Sequence, residues 1–132
     1  MQNNKDIVRN FLAASRRGDH DTMAALLHPE AEVLEADSLP YAGTHRGLEG
    51  FLTLVKTMFT QFHDTQVDVE EVIGEGDTVI VLATISGRSK HTGEAFRMPV
   101  NEVWRVRDRR ICSITPFYFD TARLNALAGA SS

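Results

Sequence analysis

Residues 98–120, MPVNEVWRVRDRRICSITPFYFD, predict two long β-strands joined by a tight turn at Asp108 and Arg109. In the first strand the even positions are mostly apolar and the odd positions mostly polar, which is the period-two pattern of a half-buried strand. The apolar side carries Met98, Val100, Trp104 and Val106. Glu102 breaks the pattern, because its carboxyl group points to the same side as these residues.

The carboxyl group of Glu102 is the first functional signal in the chain. An unpaired charge on an apolar face is costly, so we expect the pKa of this group to be raised. Two interpretations stay open. The group is either a functional acid, or a structural one satisfied by a backbone amide, by an arginine of a neighbouring strand or by water at the rim.

The second strand is harder to assign to faces. Phe117, Tyr118 and Phe119 place aromatic rings on both sides, and Pro116 has no N–H for the ladder. We expect a β-bulge near Pro116. Whether Tyr118 and Asp120 or Phe117 and Phe119 face a pocket stays open at this stage.

The composition bounds the class of protein. With 132 residues and 42% hydrophobic content, the chain suits a single domain over residues 1–132. A net charge of −4 argues against a nucleic-acid partner, and no segment approaches membrane-spanning length. The beginning of the chain lacks the apolar run of a signal peptide. We therefore expect a cytoplasmic protein with neither a nucleic-acid nor a membrane partner.

Metal and cofactor chemistry is not expected. Cys112 is the only cysteine, which excludes an internal disulfide, and the five histidines lack paired metal-ligand spacing. No glycine-rich phosphate loop follows a strand, and no GxSxG nucleophile motif is present.

The remaining segments predict an α+β domain. Asn3 or Asn4 caps a first helix that Gly18 ends, and Asp19 or Asp21 caps a second helix. Further on, the sequence predicts strands at residues 31–36, 66–73 and 78–86, a long helix at residues 48–62 and a short helix in TARLNALAGA, residues 121–130. We expect a curved antiparallel sheet, covered by the helices on one side, that forms a cone around a hydrophobic pocket.

The strand at residues 78–86 is apolar on both faces, through the run Val79 to Ala83. Since helices can cover one face only, we expect the outer face of the sheet to pair with a second copy in a homodimer.

Other candidate pocket residues lie on three elements. The turn-rich loop at residues 37–47 carries Tyr41 and His45, which are either pocket residues or ordinary surface residues. Phe59 belongs to the apolar stripe of the long helix, which is more often plain core. In the strand predicted at residues 31–36, alternation alone does not decide whether Glu32 or Glu35 points inward.

The order of these elements, with LPYAGTHRG before the long helix and EVWRVRDRRI and PFYFD at the end, resembles the nuclear transport factor 2-like superfamily. The resemblance implies a cystatin-like cone over nearly the whole chain. The superfamily contains enzymes, binding proteins and assembly domains, so the resemblance implies a fold more specifically than a function.

One branch that the chain resembles is ketosteroid isomerase. The resemblance implies a carboxylate base at Glu35 and a protonated acid at Glu102 that donates to an oxyanion. The isomerase has a tyrosine donor in its first helix, whereas the similar position here is Phe11, which has no hydroxyl. Tyr41 or Tyr118 would have to supply that donor.

A second branch is the SnoaL-like polyketide cyclases, in which an aspartate at the start of the last helix serves as acid and base. The sequence around Asp120 is similar to that junction, so the resemblance implies a catalytic role. A helix cap explains Asp120 equally well.

We therefore expect a small-molecule enzyme, an isomerase or a lyase-like cyclase, that removes a proton next to a carbonyl of a small hydrophobic molecule. In this hypothesis Glu35 is the ionised base and Glu102 the protonated donor. Trp104 and Phe59 are expected as an apolar wall of the pocket, and Tyr41 or His45 as a polar contact. Phe11 and Tyr118 are the remaining expected pocket residues. The alternatives are a non-catalytic binding protein for a hydrophobic metabolite and a dimerisation domain whose cavity is filled.

Overall fold

The computed structural model describes residues 3–129, so residues 1, 2 and 130–132 of the expected domain lie outside the described part. The helices are α1 (Asn4–Arg17), α2 (His20–Leu26), α3 (Gly47–Gln61) and α4 (Thr121–Leu127). The strands are β1 (Leu27–Glu35), β2 (Gly43–Arg46), β3 (Phe62–Glu75), β4 (Thr78–Ser89), β5 (Ala95–Arg107) and β6 (Arg110–Tyr118). The α+β class expected from the sequence is confirmed.

The strands form one curved, open sheet in the order β2-β1-β6-β5-β4-β3. Strands β3 to β6 follow one another as antiparallel hairpins, as the sequence predicts. Two features differ from the prediction. Strand β1 pairs with β6 in parallel, so the sheet is not wholly antiparallel. The loop expected at residues 37–47 contains the short strand β2, which pairs with β1.

The hairpin of β5 and β6 turns at Asp108 and Arg109, both of which have positive φ, at 51° and 65°. Two such residues in succession are typical of the type I′ turn, whose twist matches that of paired strands. The predicted tight turn is therefore confirmed.

The bulge expected near Pro116 lies elsewhere. Glu102 pairs with Pro116 in an unbroken register, and the shift falls between Arg105 and Val106, where Cys112 is the extra residue on β6. The ladder passes the proline without a bulge because only its own N–H is missing.

Local capping fixes the ends of the first two helices. The side chain of Asn3 accepts a hydrogen bond from the Asp6 amide, and Gly18 ends α1 with a φ of 67° in the left-handed region. The side chain of Asp19 accepts from the Thr22 amide at the start of α2. In each case the structure selects the first of the two capping residues that the sequence allowed.

The core lies between the inner face of the sheet and the helices. Helix α1 buries Ile7, Val8 and Phe11, while β4 buries Val79 and Val81 on its inner face. Such alternation along β4 leaves the intervening residues on the outer face. No helix within residues 3–129 is long and apolar enough to cross a membrane.

Candidate active site

A cavity of about 220 Å³ lies between the inner face of the sheet and helices α1 and α3. Most of its wall is apolar and includes Phe51, Leu54, Val67, Val100 and Ile114. The polar groups that reach the cavity are Glu35, Glu102, Tyr118, Ser15 and Arg16. A mostly apolar pocket with a few convergent polar groups is typical of a small-molecule site.

Glu35 ends strand β1 and is only 6% exposed. Glu32 lies on the other face of the strand and pairs with Arg46 at 3.4 Å. Of the two carboxyl groups that the sequence left open, Glu35 is therefore the one that points inward. The hydroxyl of Tyr118 donates to the carboxyl group of Glu35 at 3.1 and 3.2 Å from its two oxygens. Burial raises the pKa of Glu35 to about 8, against the opposing effect of the Tyr118 hydrogen bond, and the charge of Glu102 adds to the rise.

Glu102 faces the same cavity from the middle of strand β5. The indole Nε1 of Trp104 donates to Glu102 Oε1 at 3.1 Å, two residues along the same strand face. Burial raises the pKa of Glu102 to about 7, and the indole hydrogen bond opposes this rise. Within residues 3–129 no lysine or arginine forms an ion pair with Glu102. The structure therefore does not support the interpretation in which an arginine of a neighbouring strand neutralises this carboxyl group.

Two tyrosines lie beside Glu35. Burial raises the pKa of the Tyr118 hydroxyl, and the nearby charges of Glu35 and Tyr41 raise it further. Burial likewise raises the pKa of Tyr41 to about 12. The Tyr41 hydroxyl is buried close enough to the Tyr118 hydroxyl for each to shift the pKa of the other, but it makes no well-formed hydrogen bond among the described residues. Tyr118 lines the cavity and Tyr41 does not, so the structure brings only Tyr118 to the site.

At the end of β6, Pro116 and Tyr118 face the cavity, while Phe117 and Phe119 are 60% and 79% exposed. This result settles the face assignment that the sequence left open. Asp120 follows the strand, is exposed, and accepts a hydrogen bond from the Arg123 amide at 3.0 Å as the N-cap of α4. The structure thus gives Asp120 a capping role and does not place it among the residues that line the cavity.

Three further candidate residues also lie away from the cavity. Phe11 is fully buried and packs edge-to-face against Trp104, with ring centroids 5.7 Å apart, behind the cavity wall. His45 bonds through Nε2 to the backbone oxygen of Tyr41 at 2.9 Å. Phe59 is 52% exposed on the outer side of α3. The sequence predicted that Phe59 belongs to the apolar stripe of the long helix. This stripe is wider than the face of α3 that packs against the sheet, so Phe59 stays outside the core.

Ser15 and Arg16 are cavity residues that the sequence analysis did not identify. They follow Leu12, another lining residue, by three and four positions on α1, so they share one face of the helix. Extending the apolar stripe of α1 by one turn would have found both. The residues between 3 and 129 contain no cluster of three or more histidine, cysteine, aspartate or glutamate side chains that would hold a metal ion.

The chain belongs to the SnoaL-like domain family, whose sequence pattern matches residues 8–114. This membership agrees with the fold and with the resemblance found in the sequence. Among curated proteins, none matches the chain significantly.

Solved structures extend the comparison over the whole chain. An NTF2-like protein of Burkholderia thailandensis E264 is 30% identical, with a TM-score of 0.87 over 99% of this chain and 100% of that one. A hypothetical protein of Catenulispora acidiphila DSM 44928 with a ketosteroid isomerase-like fold, in complex with trimethylamine, is 18% identical, with a TM-score of 0.74 over 96% and 97%. IdmH, a putative polyketide cyclase of Streptomyces antibioticus, is 22% identical, with a TM-score of 0.74 over 97% and 100%. The last two are similar to this chain in fold alone.

Proposed function

We propose that this protein is an enzyme that removes a proton next to a carbonyl group of a small hydrophobic molecule, in an isomerase or cyclase reaction. The observation that carries the proposal is the pair of carboxyl groups in one apolar cavity, with the pKa of Glu35 near 8 and that of Glu102 near 7. Acid–base catalysts are most effective when their pKa lies close to the working pH. An apolar cavity built only for packing gains nothing from two such groups.

The two carboxyl groups are suited to different roles. The higher of the two pKa values belongs to Glu35, which is buried and next to the charge of Glu102, so Glu35 is the group suited to keep its proton. Glu102 is suited to the ionised role, because the Trp104 indole N–H donates to its carboxylate. Glu102 therefore acts as the base that takes the proton from carbon. The single phenolic proton of Tyr118 is free for the substrate when Glu35 is protonated and donates its own O–H to the Tyr118 oxygen. Tyr118 then donates to the carbonyl oxygen as negative charge develops on it.

These roles reverse the assignment made from the sequence, in which Glu35 was the ionised base. The reversal follows from local surroundings that the sequence does not display: Glu35 ends in a buried pocket beside two tyrosines, and Glu102 receives an indole N–H. Tyr118 also supplies a hydroxyl that Phe11 cannot, so the missing tyrosine of the first helix does not leave the oxyanion without a donor.

The comparisons support the SnoaL-like family and its fold, but no particular substrate or reaction. IdmH is described as a putative polyketide cyclase, and the Catenulispora acidiphila protein holds the small molecule trimethylamine. A neighbour of the same fold that is in complex with a small molecule is consistent with a small-molecule ligand here, and we carry over neither the substrate nor the reaction.

The proposal is tested first by binding. The single tryptophan, Trp104, lies beside Glu102, so its fluorescence reports occupation of the cavity. We would titrate the protein with phenols of graded acidity, which mimic an enolate, and repeat the titration with Glu102→Gln and Glu35→Gln. Glu32→Gln is the matched control, because Glu32 is on the same strand as Glu35 but pairs with Arg46 outside the cavity.

Catalysis is tested by exchange of α-protons of small ketones for deuterium, followed by NMR. We expect exchange with the wild-type protein and with Glu32→Gln, and a loss of at least a hundredfold with Glu102→Gln. An exchange rate that stays unchanged in both Glu102→Gln and Glu35→Gln would refute the proposed chemistry.

A non-catalytic binding protein is the second candidate. Phe11 favours it, since the hydroxyl of the isomerases is absent at that position. Saturable phenol binding without deuterium exchange from any ketone would identify this function. The third candidate, a dimerisation domain with a filled core, is disfavoured by the open cavity of about 220 Å³.

We also propose that the protein forms a homodimer through the outer face of the sheet and is located in the cytoplasm. Outer residues of the central strands are apolar: Ile80 pairs with Val103, and Ile73 on β3 is 47% exposed beside Ile80. Phe117 extends the same face on β6. Large exposed apolar patches of this kind are typical of subunit interfaces. The proposed cytoplasmic location is supported by the single cysteine, Cys112, because a protein without an internal disulfide suits a reducing compartment.

A further inference from the structure

Arg16 lies at the mouth of the cavity. It is exposed to solvent and also lines the cavity, as do Leu12 and Ser15 on the same face of α1. This combination of contact with solvent and with the cavity places the guanidinium where a ligand enters.

The guanidinium of Arg16 is held in place without being neutralised. It donates to the backbone oxygen of Val67, across the rim on β3, at 2.9 Å. By contrast, Arg9 and Arg17 on the same helix pair with Asp6 and Asp19. No carboxylate of residues 3–129 pairs with Arg16, so its positive charge and its remaining N–H groups are available to a ligand.

The cavity lining contains few charged residues. Within the described part of the chain Arg16 is the only basic residue in the lining, and Glu35 and Glu102 are the only acidic ones. A negatively charged group on a ligand would be repelled from the ionised Glu102 and attracted to the guanidinium. The same group at the mouth keeps partial contact with water, which avoids the cost of burying an anion.

We propose that the ligand of this protein carries a carboxylate in addition to its reactive carbonyl, and that Arg16 binds this carboxylate at the mouth of the cavity. The carbonyl end then enters toward Tyr118 and Glu102. The carbonyl part rests on the proposed function, whereas the carboxylate part rests on Arg16 alone. The guanidinium is already fixed by Val67, so little conformational entropy is lost when it binds the ligand.

The test compares two phenols of similar acidity, 4-ethylphenol and 3-(4-hydroxyphenyl)propionate, which differ chiefly in a carboxylate on the side chain. Binding is measured by Trp104 fluorescence. We expect the carboxylate probe to bind the wild-type protein roughly tenfold more tightly, a ratio typical of one charge-assisted contact at a partly exposed site. The ratio should fall in high salt.

Variants of two neighbouring arginines separate this contact from general charge. Arg16→Gln should bring the ratio close to one, and Arg16→Lys should retain part of it, because the charge remains but the planar fork is lost. Arg17→Gln is the control, since it removes the same charge from the adjacent position outside the cavity lining. It should leave the ratio as in the wild-type protein.

Each outcome has a distinct meaning. Equal affinity for the two probes, or the same ratio in Arg16→Gln, overturns the role of Arg16 and leaves the proposed function standing. A ratio that depends on Arg16, together with no deuterium exchange from keto acids or ketones, overturns the proposed function and leaves the carboxylate site standing. Absence of binding by both probes overturns both.

Discussion

The hydroxyl of Tyr118 lies 3.1 Å and 3.2 Å from the two carboxyl oxygens of Glu35, although 83 residues separate them in the chain. The parallel pairing of β1 with β6 brings the ends of these two strands together. The proposed oxyanion donor is thus built where two distant segments meet, and its hydroxyl is positioned before a ligand binds. Such preorganised donors are a main source of transition-state stabilisation.

Tyr118→Phe should therefore lower the rate of deuterium exchange far more than Tyr41→Phe. The first substitution removes the hydroxyl that bonds Glu35 and faces the cavity, and we expect a loss of about a hundredfold in exchange rate. The second removes a buried hydroxyl that lies near Tyr118 but makes no well-formed hydrogen bond among the described residues. Its loss should leave the rate within a few-fold and leave stability unchanged or raised by about 1 kcal/mol. Deuterium exchange and chemical denaturation of the two variants provide the measurement, and equal rates would contradict the donor role.

Glu35→Gln should stabilise the protein more as the pH rises. The folded-state pKa of about 8 exceeds the ordinary value of 4.5, so between these values the unfolded chain releases a proton that the folded chain retains. The stability of the wild-type protein therefore falls with rising pH in this window. Glutamine has no charge to bury and escapes this cost, which at pH 8 amounts to at most about 4 kcal/mol at 1.36 kcal/mol per pKa unit.

The measurement is urea denaturation of the wild-type protein and Glu35→Gln at pH 5, 6.5 and 8. The free energies of unfolding should be similar at pH 5 and diverge toward pH 8. Glu32→Gln should show no such divergence, because Glu32 pairs with Arg46 at the surface. A difference between wild-type and Glu35→Gln that stays constant with pH would mean that Glu35 is not buried in its protonated form.

The sequence predicted the architecture because periodicity and capping act locally. The two-residue turn at Asp108 and the helix end at Gly18 follow from backbone preferences of a few neighbouring residues. Alternation also placed Glu102 and Trp104 on one face, and both line the cavity. These features depend on neighbours in the chain, which a sequence displays directly.

The site was predicted less completely because it depends on contacts between distant segments. Alternation could not choose between Glu32 and Glu35, since the choice follows from the pairing of β1 with β6. It also could not place Tyr118 until the extra residue in β6 was known to be Cys112. Phe59 was assigned to a wall that α3 does not present, because helical spacing marks a stripe but not the part of it that packs.

Phe117→Ser should shift the oligomeric state toward monomer. Phe117 is 60% exposed on the outer face of β6, in the apolar surface that we assign to the homodimer. Phe59→Ser is a matched control, because Phe59 is 52% exposed on α3, on the opposite side of the molecule. Light scattering after gel filtration, over a range of concentrations, should give at least a tenfold higher dissociation constant for Phe117→Ser only. A monomeric wild-type protein would refute the interface.

Trp104→Phe should raise the pKa of Glu102 above its present value of about 7. The indole N–H donates to Glu102 Oε1 and stabilises the carboxylate, and phenylalanine keeps an aromatic ring but has no donor. Loss of a hydrogen bond to a charged group corresponds to roughly one pH unit. The titration is followed by NMR of protein with ¹³C-labelled glutamate carboxyl groups, with Glu102→Gln used to assign the signal.

Phe11→Leu serves as the control for this titration, since Phe11 packs on the Trp104 ring without bonding Glu102. It should loosen the same aromatic cluster and leave the Glu102 titration nearly unchanged. If Glu102 is the base, the acidic limb of the pH profile of deuterium exchange moves upward with its pKa in Trp104→Phe. A carboxyl titration that shifts without any change in that limb would assign the base to another group, and Glu35 is then the remaining carboxyl group in the cavity lining of residues 3–129.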